Sequence, residues 1–563
     1  SHEDRRIYLA DGMDVKRNAD IPMAAMWTPG SLAGGANEEV RSEADIREAA
    51  SVAHIYGKDF VAAESMTSIQ NAFSWHPEKL KRTADLEMAS GLNRFVIHTS
   101  VHQPLDDKMP GFSLGPFGQY FTRQETWSGA GAKAWMEYLG RSSYMLQQGK
   151  FVADVLYLYG ENTNITWQFR MKLPSIPGYE FDFCNSSALQ LMQVKNGKIV
   201  APSGATYSLL VLDESAKKMT LPVLKKIKAL VNAGAKIAGI KPESSPGMND
   251  SESEFQAIVN EIWGKNPNLE TQDFTDVLNG LGVKEDVIIK NTRPSDLPTG
   301  QAGGQEKSKI LYVHRKAANE DIYWLDNRSE NLNEAEISFR VSGKVPELWH
   351  PQTGKREKVS YQIRDGRTII PLKFESWDAY FIIFKGKASA NAYTKPSASE
   401  TQLTTMSGEW NIHFQQDRGA PSEIKVSELK SWSENEDAGV KYFSGTATYT
   451  KSINAPANWI TKGSEIWLDL GEVKNIAEVK VNGKLVGTVW KSPFKVNVTS
   501  VWKTGDNKIE INVTNLWVNR LIGDAQPGVT NKITFTTMPF YQANSKLLPS
   551  GLLGPVKIIS VAR

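Results

Sequence analysis

The stretch Asp59-Phe60-Val61-Ala62-Ala63-Glu64-Ser65-Met66-Thr67 decides the reading of the fold. Phe60 to Ala63 is a short apolar run of the kind that fills a buried strand, and it delivers one carboxylate, Glu64, at its C-terminal end. Helical patterns flank it. Upstream, Glu38 to Tyr56 repeats apolar residues at Val40, Ala44, Ile46, Ala49, Ala50 and Ala53 and stops at Gly57, a natural helix terminator. Downstream, Pro77 opens a second helix with Leu80, Ala84, Leu86 and Met88 on its apolar face, ending at Gly91. A further strand, Arg94 to His98, runs into Thr99-Ser100-Val101-His102-Gln103-Pro104, and Pro22 to Trp27 reads as a strand ahead of them all. Helices alternating with strands, with acids and imidazoles at strand ends, is how a (β/α) barrel assembles an active site.

Outward from this core the code changes three times. Residues 1–150 read as the C-terminal part of a (β/α)8 barrel, with an aromatic, glycine-rich loop from Pro110 to Trp127 and a long helix from Ala130 to Gln148. A complete barrel takes about 250 residues, so the chain is expected to begin partway through its barrel, and an export signal would then lie outside it. Residues 151–295 alternate strands (Val152 to Tyr159, Tyr207 to Leu212, Ala235 to Ile240) with helices, which predicts a flavodoxin-like α/β domain; no GxGxxG or Walker fingerprint accompanies it. Pro294 to Ser308 is a polar, Gly/Pro-rich linker. Residues 309–386 then predict a small antiparallel β-sandwich, Gly386 to Thr404 a second linker rich in Ala, Ser and Thr, and residues 405–563 a jelly roll. Within the last, Glu478 to Trp490 is a hairpin alternating about an Asn482-Gly483 turn. The expected fold class is therefore multidomain, α/β followed by all-β.

Composition narrows the partners. With 563 residues the chain exceeds what one core can organise, and 65 basic against 63 acidic residues leave a net charge of +2. That balance gives no reason to expect a nucleic-acid partner. No run of eighteen apolar residues exists to span a bilayer. The single cysteine, Cys184, excludes an intrachain disulfide and fits either a reducing compartment or a bacterial secreted protein. Sixteen Trp and seventeen Tyr suit sugar stacking, although β-sandwich cores use the same rings.

Three runs, Glu64-Ser65-Met66-Thr67, His98-Thr99-Ser100-Val101-His102-Gln103-Pro104 and Phe117-Gly118-Gln119-Tyr120-Phe121, resemble glycoside hydrolase family 106, the α-L-rhamnosidases. The terminal unit resembles the galactose-binding-like jelly roll of family 2 glycosidases through Phe443-Ser444-Gly445-Thr446, Leu468-Asp469-Leu470-Gly471-Glu472-Val473, Val481-Asn482-Gly483 and Val513-Thr514-Asn515-Leu516-Trp517, while Asn519-Arg520-Leu521-Ile522-Gly523-Asp524 fits the form found in rhamnosidase relatives. The resemblance implies an inverting hydrolase of terminal α-L-rhamnosides with a carbohydrate substrate, bacterial, and periplasmic or secreted. It implies a general base on a late strand, which Glu64 matches, and a general acid upstream of it. None of Glu38, Glu39, Glu43 or Glu48 follows a strand, so the acid is expected outside this sequence, which leaves open whether the chain acts alone. Calcium is also implied by the resemblance, although no EF-hand-like run is present and the acids of Asn249 to Glu254 read as a helix start.

Breaking a glycosidic bond through an oxocarbenium-like transition state uses two carboxyl groups, one giving a proton to the leaving oxygen, the other attacking or activating water. Glu64 would activate the water; the plainer alternative is a strand-end carboxylate in an ion pair. His98, His102 and Gln103 could bond sugar hydroxyls, and Trp27 and Trp75 could stack on a deoxy-sugar, with buried packing the competing role for each. Glu125 and Trp127, in the loop Thr122 to Trp127, complete the substrate-binding candidates; Trp490, Trp517 and Asn519 are further sugar contacts in the jelly roll, where buttressing is the competing role. Two other functions fit: a retaining β-glycosidase of the family 2 or family 42 type, and a non-catalytic carbohydrate-binding fragment.

Overall fold

The computed structural model describes residues 10–29, 37–69, 71–116, 121–165, 173–264, 267–292, 310–461 and 463–562. The opening Ser1-His2-Glu3-Asp4, the expected linker at Pro294 to Ser308 and residues 117–120 of the third family-like run lie outside them. The chain divides into two compact units, one of residues 1–65, 84–96 and 141–394, the other of residues 66–83, 97–140 and 395–563.

The first unit begins with helix α1 (Gly12–Lys16), capped by the Asp11 carboxylate, which accepts from the Asp14 amide. Strands β1 (Met23–Trp27), β2 (Ala62–Thr67) and β3 (Arg94–Ile97) form one sheet in that order. The Pro22 carbonyl accepts from Ala62, and the Val61 carbonyl accepts from Asn93 and Arg94, so the strands start side by side, as parallel neighbours do. Helices α2 (Asn37–Tyr56) and α3 (Pro77–Ala89) make the two crossovers. The small side chains of α2, among them Ala44, Ala49, Ala50 and Ala53, are fully buried and let its backbone approach closely. Gly91 ends α3 at φ +113°, where a Cβ would come within 2.6 Å of the Ala50 methyl, so glycine is required both for the turn and for the approach.

A second, four-stranded sheet follows in the order Ile237–Gly239, Leu209–Leu212, Val155–Leu158, Phe181–Cys184, with every neighbouring pair parallel. Every residue of these strands is buried, which is why the sequence shows continuous apolar runs rather than alternation. Helices Leu221–Asn232 and Glu252–Ile262 belong to this layer, the second capped by the Ser251 hydroxyl. Two antiparallel sheets of five and six strands then enclose a core that includes Tyr323, Phe339, Ile370, Phe374, Ile382 and Phe384. Strand Val287–Asn291 joins the five-stranded sheet by pairing with Asn333–Phe339.

The second unit is built on an antiparallel six-stranded sheet and an antiparallel four-stranded sheet around a core containing Trp410, Trp432, Phe443, Tyr449 and Ile511. The hairpin Ile476–Val481/Lys484–Val489 turns through Asn482 at φ 52° and Gly483 at φ 76°, the two positive values that a type I′ turn demands. The stretch expected as a second linker differs from expectation. Ala392–Tyr393 pairs with Tyr361–Arg364, and Ser399–Thr405 pairs along Lys557–Ala562. Its threonines are β-branched and suit an exposed edge strand, so composition alone was misleading. The loops of residues 66–83 and 97–140 pack on this unit, with Phe73 against Trp517 and Leu521, and with Trp135 and Tyr138 meeting Trp490 at 5.5 Å between ring centres.

Candidate functional site

Glu64 is the third residue of β2 and not, as the apolar run suggested, the residue just past its end. The strand continues through Ser65, Met66 and Thr67. Side chains alternate across a strand, so Glu64 and Ser65 face opposite ways. Ser65 is buried, its hydroxyl donating to the Ala63 carbonyl at 3.1 Å, and it neighbours the fully buried Glu87 of α3. Burial holds the Glu87 carboxyl well above its ordinary range. Glu64, half-buried, lies on the other side. Trp27, at the end of β1, is half-buried as well.

Among the acids passed over in the sequence, Glu48 has a structural partner. It is fully buried and accepts from the Lys16 ammonium at 2.8 Å, and the same ammonium also meets Asp45. Both carboxylates raise the Lys16 pKa against the opposing effect of burial.

The remaining candidates belong to the second unit. The half-buried His98 shares a 3.1 Å hydrogen bond between its Nδ1 and the Thr67 hydroxyl, while His102 is exposed. The half-buried Trp75 has the Lys79 ammonium 5.9 Å from its ring centre. Its neighbour His76 is 4 % exposed, and desolvation together with nearby lysines and an arginine pushes its pKa down to about 3, so the imidazole is neutral. Gln103 is a loop clamp: its amide donates to the Phe112 carbonyl at 2.7 Å and accepts from the Phe112 amide at 2.8 Å. Trp127 is 2 % exposed and packs edge-on against Phe121, which is a core position rather than a platform open to sugar. Trp490, Trp517 and Asn519 are likewise buried. Trp517 donates its indole N–H to the Gln124 carbonyl at 2.9 Å, and Asn519 brackets Leu548 with both amide atoms.

Glu125 is different. It is 4 % exposed, its Oε1 accepts from the Thr126 amide at 3.1 Å and from the Thr126 hydroxyl at 3.3 Å, and its Oε2 has no hydrogen-bond partner. Desolvation pushes its pKa up to about 8, so the group is a neutral acid at pH 7. It lines a cavity of about 390 Å³ together with Gln124, Thr126, Arg418 and Trp517. Sequence reasoning missed Arg418, because an arginine in a turn after Gln415-Gln416-Asp417 carries no periodic signal.

No group of three or more His, Cys, Asp or Glu side chains converges among the described residues, so the expected calcium finds no cage of such groups there. No helix among the described residues is long and apolar enough to cross a membrane.

The profile of glycoside hydrolase family 106, described as alpha-L-rhamnosidase, matches residues 1–363. The chain belongs to this family. A second profile, the galactose-binding domain-like module of glycosyl hydrolase family 2, matches residues 425–542 of the family 106 chain. The solved structure of a rhamnosidase from Novosphingobium sp. PP1Y is 40% identical, with a TM-score of 0.92 over 99% of this chain and 52% of that one. A protein of Formosa agariphila named "Putative beta-glucuronidase" is 27% identical over 97% of this chain and 66% of its own length. The chain thus spans about half the length of the solved rhamnosidase and about two thirds of the curated relative.

Proposed function

We propose that this family 106 chain serves an inverting α-L-rhamnosidase, with Glu64 as the general base that takes a proton from the attacking water. The likeness to a solved rhamnosidase over 99% of the chain carries this reading. Its supporting feature is a half-buried carboxylate on the face of β2 turned away from the helix-facing Ser65. We take β1, β2 and β3 with their crossover helices as strands of a (β/α)8 barrel, followed by a flavodoxin-like domain, a small sandwich and a jelly roll with the boundaries expected from the sequence. Inversion requires the base to stand about 6.5–9.5 Å from the acid, leaving room for the water between them. His98, His102, Trp27 and Trp75 are the remaining candidates for holding the sugar. Polysaccharide does not enter the cell, so the protein is placed in the periplasm or outside.

The test is hydrolysis of an aryl α-L-rhamnoside by the natural gene product that carries this chain. Replacement Glu64→Gln removes the base and lowers kcat about 10²–10⁴-fold with little change in KM. Unchanged turnover ends the assignment. Proton NMR of the first-formed anomer reports inversion directly. The curated relative's name favours a second reading, a retaining β-glycosidase, and an aryl β-D-glucuronide tested in parallel separates the two.

A further inference from the structure

A cavity of about 330 Å³ within the first unit is absorbed by none of the roles above. Its size falls in the range of about 300–1,000 Å³ typical of small-molecule sites. Three neighbouring strands build part of its lining. Trp349 stands opposite Arg356 on one side and Phe381 on the other, so the three side chains share a face of the sheet. Arg141 holds the turn that leads to Arg356, its guanidinium donating to the Pro351 and Gln352 carbonyls at 3.0 and 3.2 Å. Tyr144 and Glu320 complete the part of the lining that matters here.

The groups that could meet a ligand are open to water. Arg356 is exposed, and its guanidinium carbon lies 3.9 Å from the Trp349 ring centre. Stacking on a ring positions a guanidinium without spending its N–H donors. Among the described residues Arg356 makes no hydrogen bond or ion pair, and the nearby Glu347 is already bound to the Lys385 ammonium and the Trp349 indole N–H, both at 2.9 Å. Glu320, half-buried, likewise has no hydrogen bond or ion pair on its carboxylate among the described residues. An acid and a guanidinium thus share one cavity without pairing. Tyr144 is 64 % exposed, the most exposed aromatic side chain among the described residues, and its ring meets no other. Trp349 is a support rather than a platform, since Arg356 and, at 5.2 Å, Lys385 both stand over it.

We propose that this cavity binds an acidic sugar, a hexuronate unit of the carbohydrate substrate, with its carboxylate on Arg356, its hydroxyls on Glu320 and its C–H face on the Tyr144 ring. A planar fork matches a carboxylate with two parallel hydrogen bonds, which a hydroxyl cannot reproduce. A neutral sugar would use Tyr144 and Glu320 and leave that fork to water. A bare carboxylate would use the fork alone. Only a ligand with an anionic group, hydroxyl donors and an apolar face engages all three. The cations Arg141, Lys355 and Arg356 outnumber the one acid of the lining, so the cavity favours an anion. The inference rests on carbohydrate being the substrate and is independent of Glu64 being the base.

Binding is read by saturation-transfer NMR and calorimetry on the Glu64→Gln protein, with D-glucuronate and D-galacturonate as probes. L-Rhamnose, D-galactose and acetate serve as controls. The expected result is uronate binding about tenfold or more tighter than any control, weakened to the level of the neutral sugars in Arg356→Gln and partly restored in Arg356→Lys. Tyr144→Ala should weaken it severalfold, whereas Tyr144→Phe, which keeps the ring, should not. Both side chains are exposed, so these replacements leave the fold intact. Equal affinity for uronates and neutral sugars, no binding of any probe, or uronate binding indifferent to Arg356 or to loss of the Tyr144 ring would each overturn the proposal. Turnover that survives Glu64→Gln would end the base assignment and leave this binding result standing.

Discussion

Replacing Glu125 by glutamine tests the electrostatics of the second unit at one atom. The native carboxyl is 4 % exposed, and desolvation moves its pKa from 4.5 to about 8. In the unfolded chain the same group ionises near its ordinary value, so between about pH 4.5 and 8 the native state holds a proton that the unfolded state has released. Stability therefore falls as pH rises through that window and levels off above pH 8. At about 1.4 kcal/mol for each tenfold change, the full displacement corresponds to about 5 kcal/mol, an upper bound because local opening lets water reach the group first. Glutamine has nearly the same shape, carries no charge, and preserves an oxygen for the Thr126 amide and hydroxyl that Oε1 now accepts from. The variant should match the parent at pH 5 and exceed it by about 2–5 kcal/mol at pH 8, with the gap opening steadily between. Two units need not unfold together, so the measurement is amide exchange of residues 121–128 across pH, corrected for intrinsic rates. A gap that stays constant from pH 5 to pH 8, or a variant less protected at pH 8, would refute the assignment of a buried neutral acid.

Three further outcomes follow from other parts of the chain. Trp490→Ala removes a ring that is 1 % exposed and meets both Trp135 and Tyr138, and should cost about 3–5 kcal/mol in denaturant unfolding of the second unit. Lys16→Met withdraws the buried ammonium shared by Asp45 and Glu48, and should cost about 3–5 kcal/mol. The triple variant with Asp45→Asn and Glu48→Gln should recover most of that loss, as read by thermal unfolding. Gly483→Ala forces a side chain into φ 76° at the hairpin tip and should cost about 1–2 kcal/mol, visible as faster exchange at Lys484 to Val489 without change elsewhere.

Elements whose pattern is local were legible in the sequence. The Asn482-Gly483 turn and the alternation around it mark the hairpin, because turn type is set within a few residues, whereas the register shift between Val479 and Lys480 carries no such local signal. Helix α3 begins at Pro77, where the proline pointed. The extent of β2 was not legible, since Glu64-Ser65-Met66-Thr67 mixes polar and apolar residues without a clear strand signal, and only its pairing in the sheet makes it strand. The linker reading of Gly386 to Thr404 failed for the same reason. Ser399–Thr405 becomes a strand by pairing with Lys557–Ala562, whose sequence lies some distance along the chain.

The candidate site divides along the same line. Residue type makes Glu64 a candidate in the sequence, though its place within β2 differs from the reading, and the family 106 resemblance rests on runs that can be quoted from the sequence. What each aromatic or amide does depends on its neighbours in space. Trp127 and Trp517 have the composition of sugar platforms, yet both are enclosed, one against Phe121 and the other beneath Arg418 with its N–H on Gln124. Gln103 looks like a hydroxyl-binding side chain, but the Phe112 backbone occupies both ends of its amide. Glu125 reverses the pattern. Its loop suggests a sugar contact, whereas its distinguishing property, a neutral acid with one oxygen unanswered, exists only because the surrounding fold excludes water and supplies no donor.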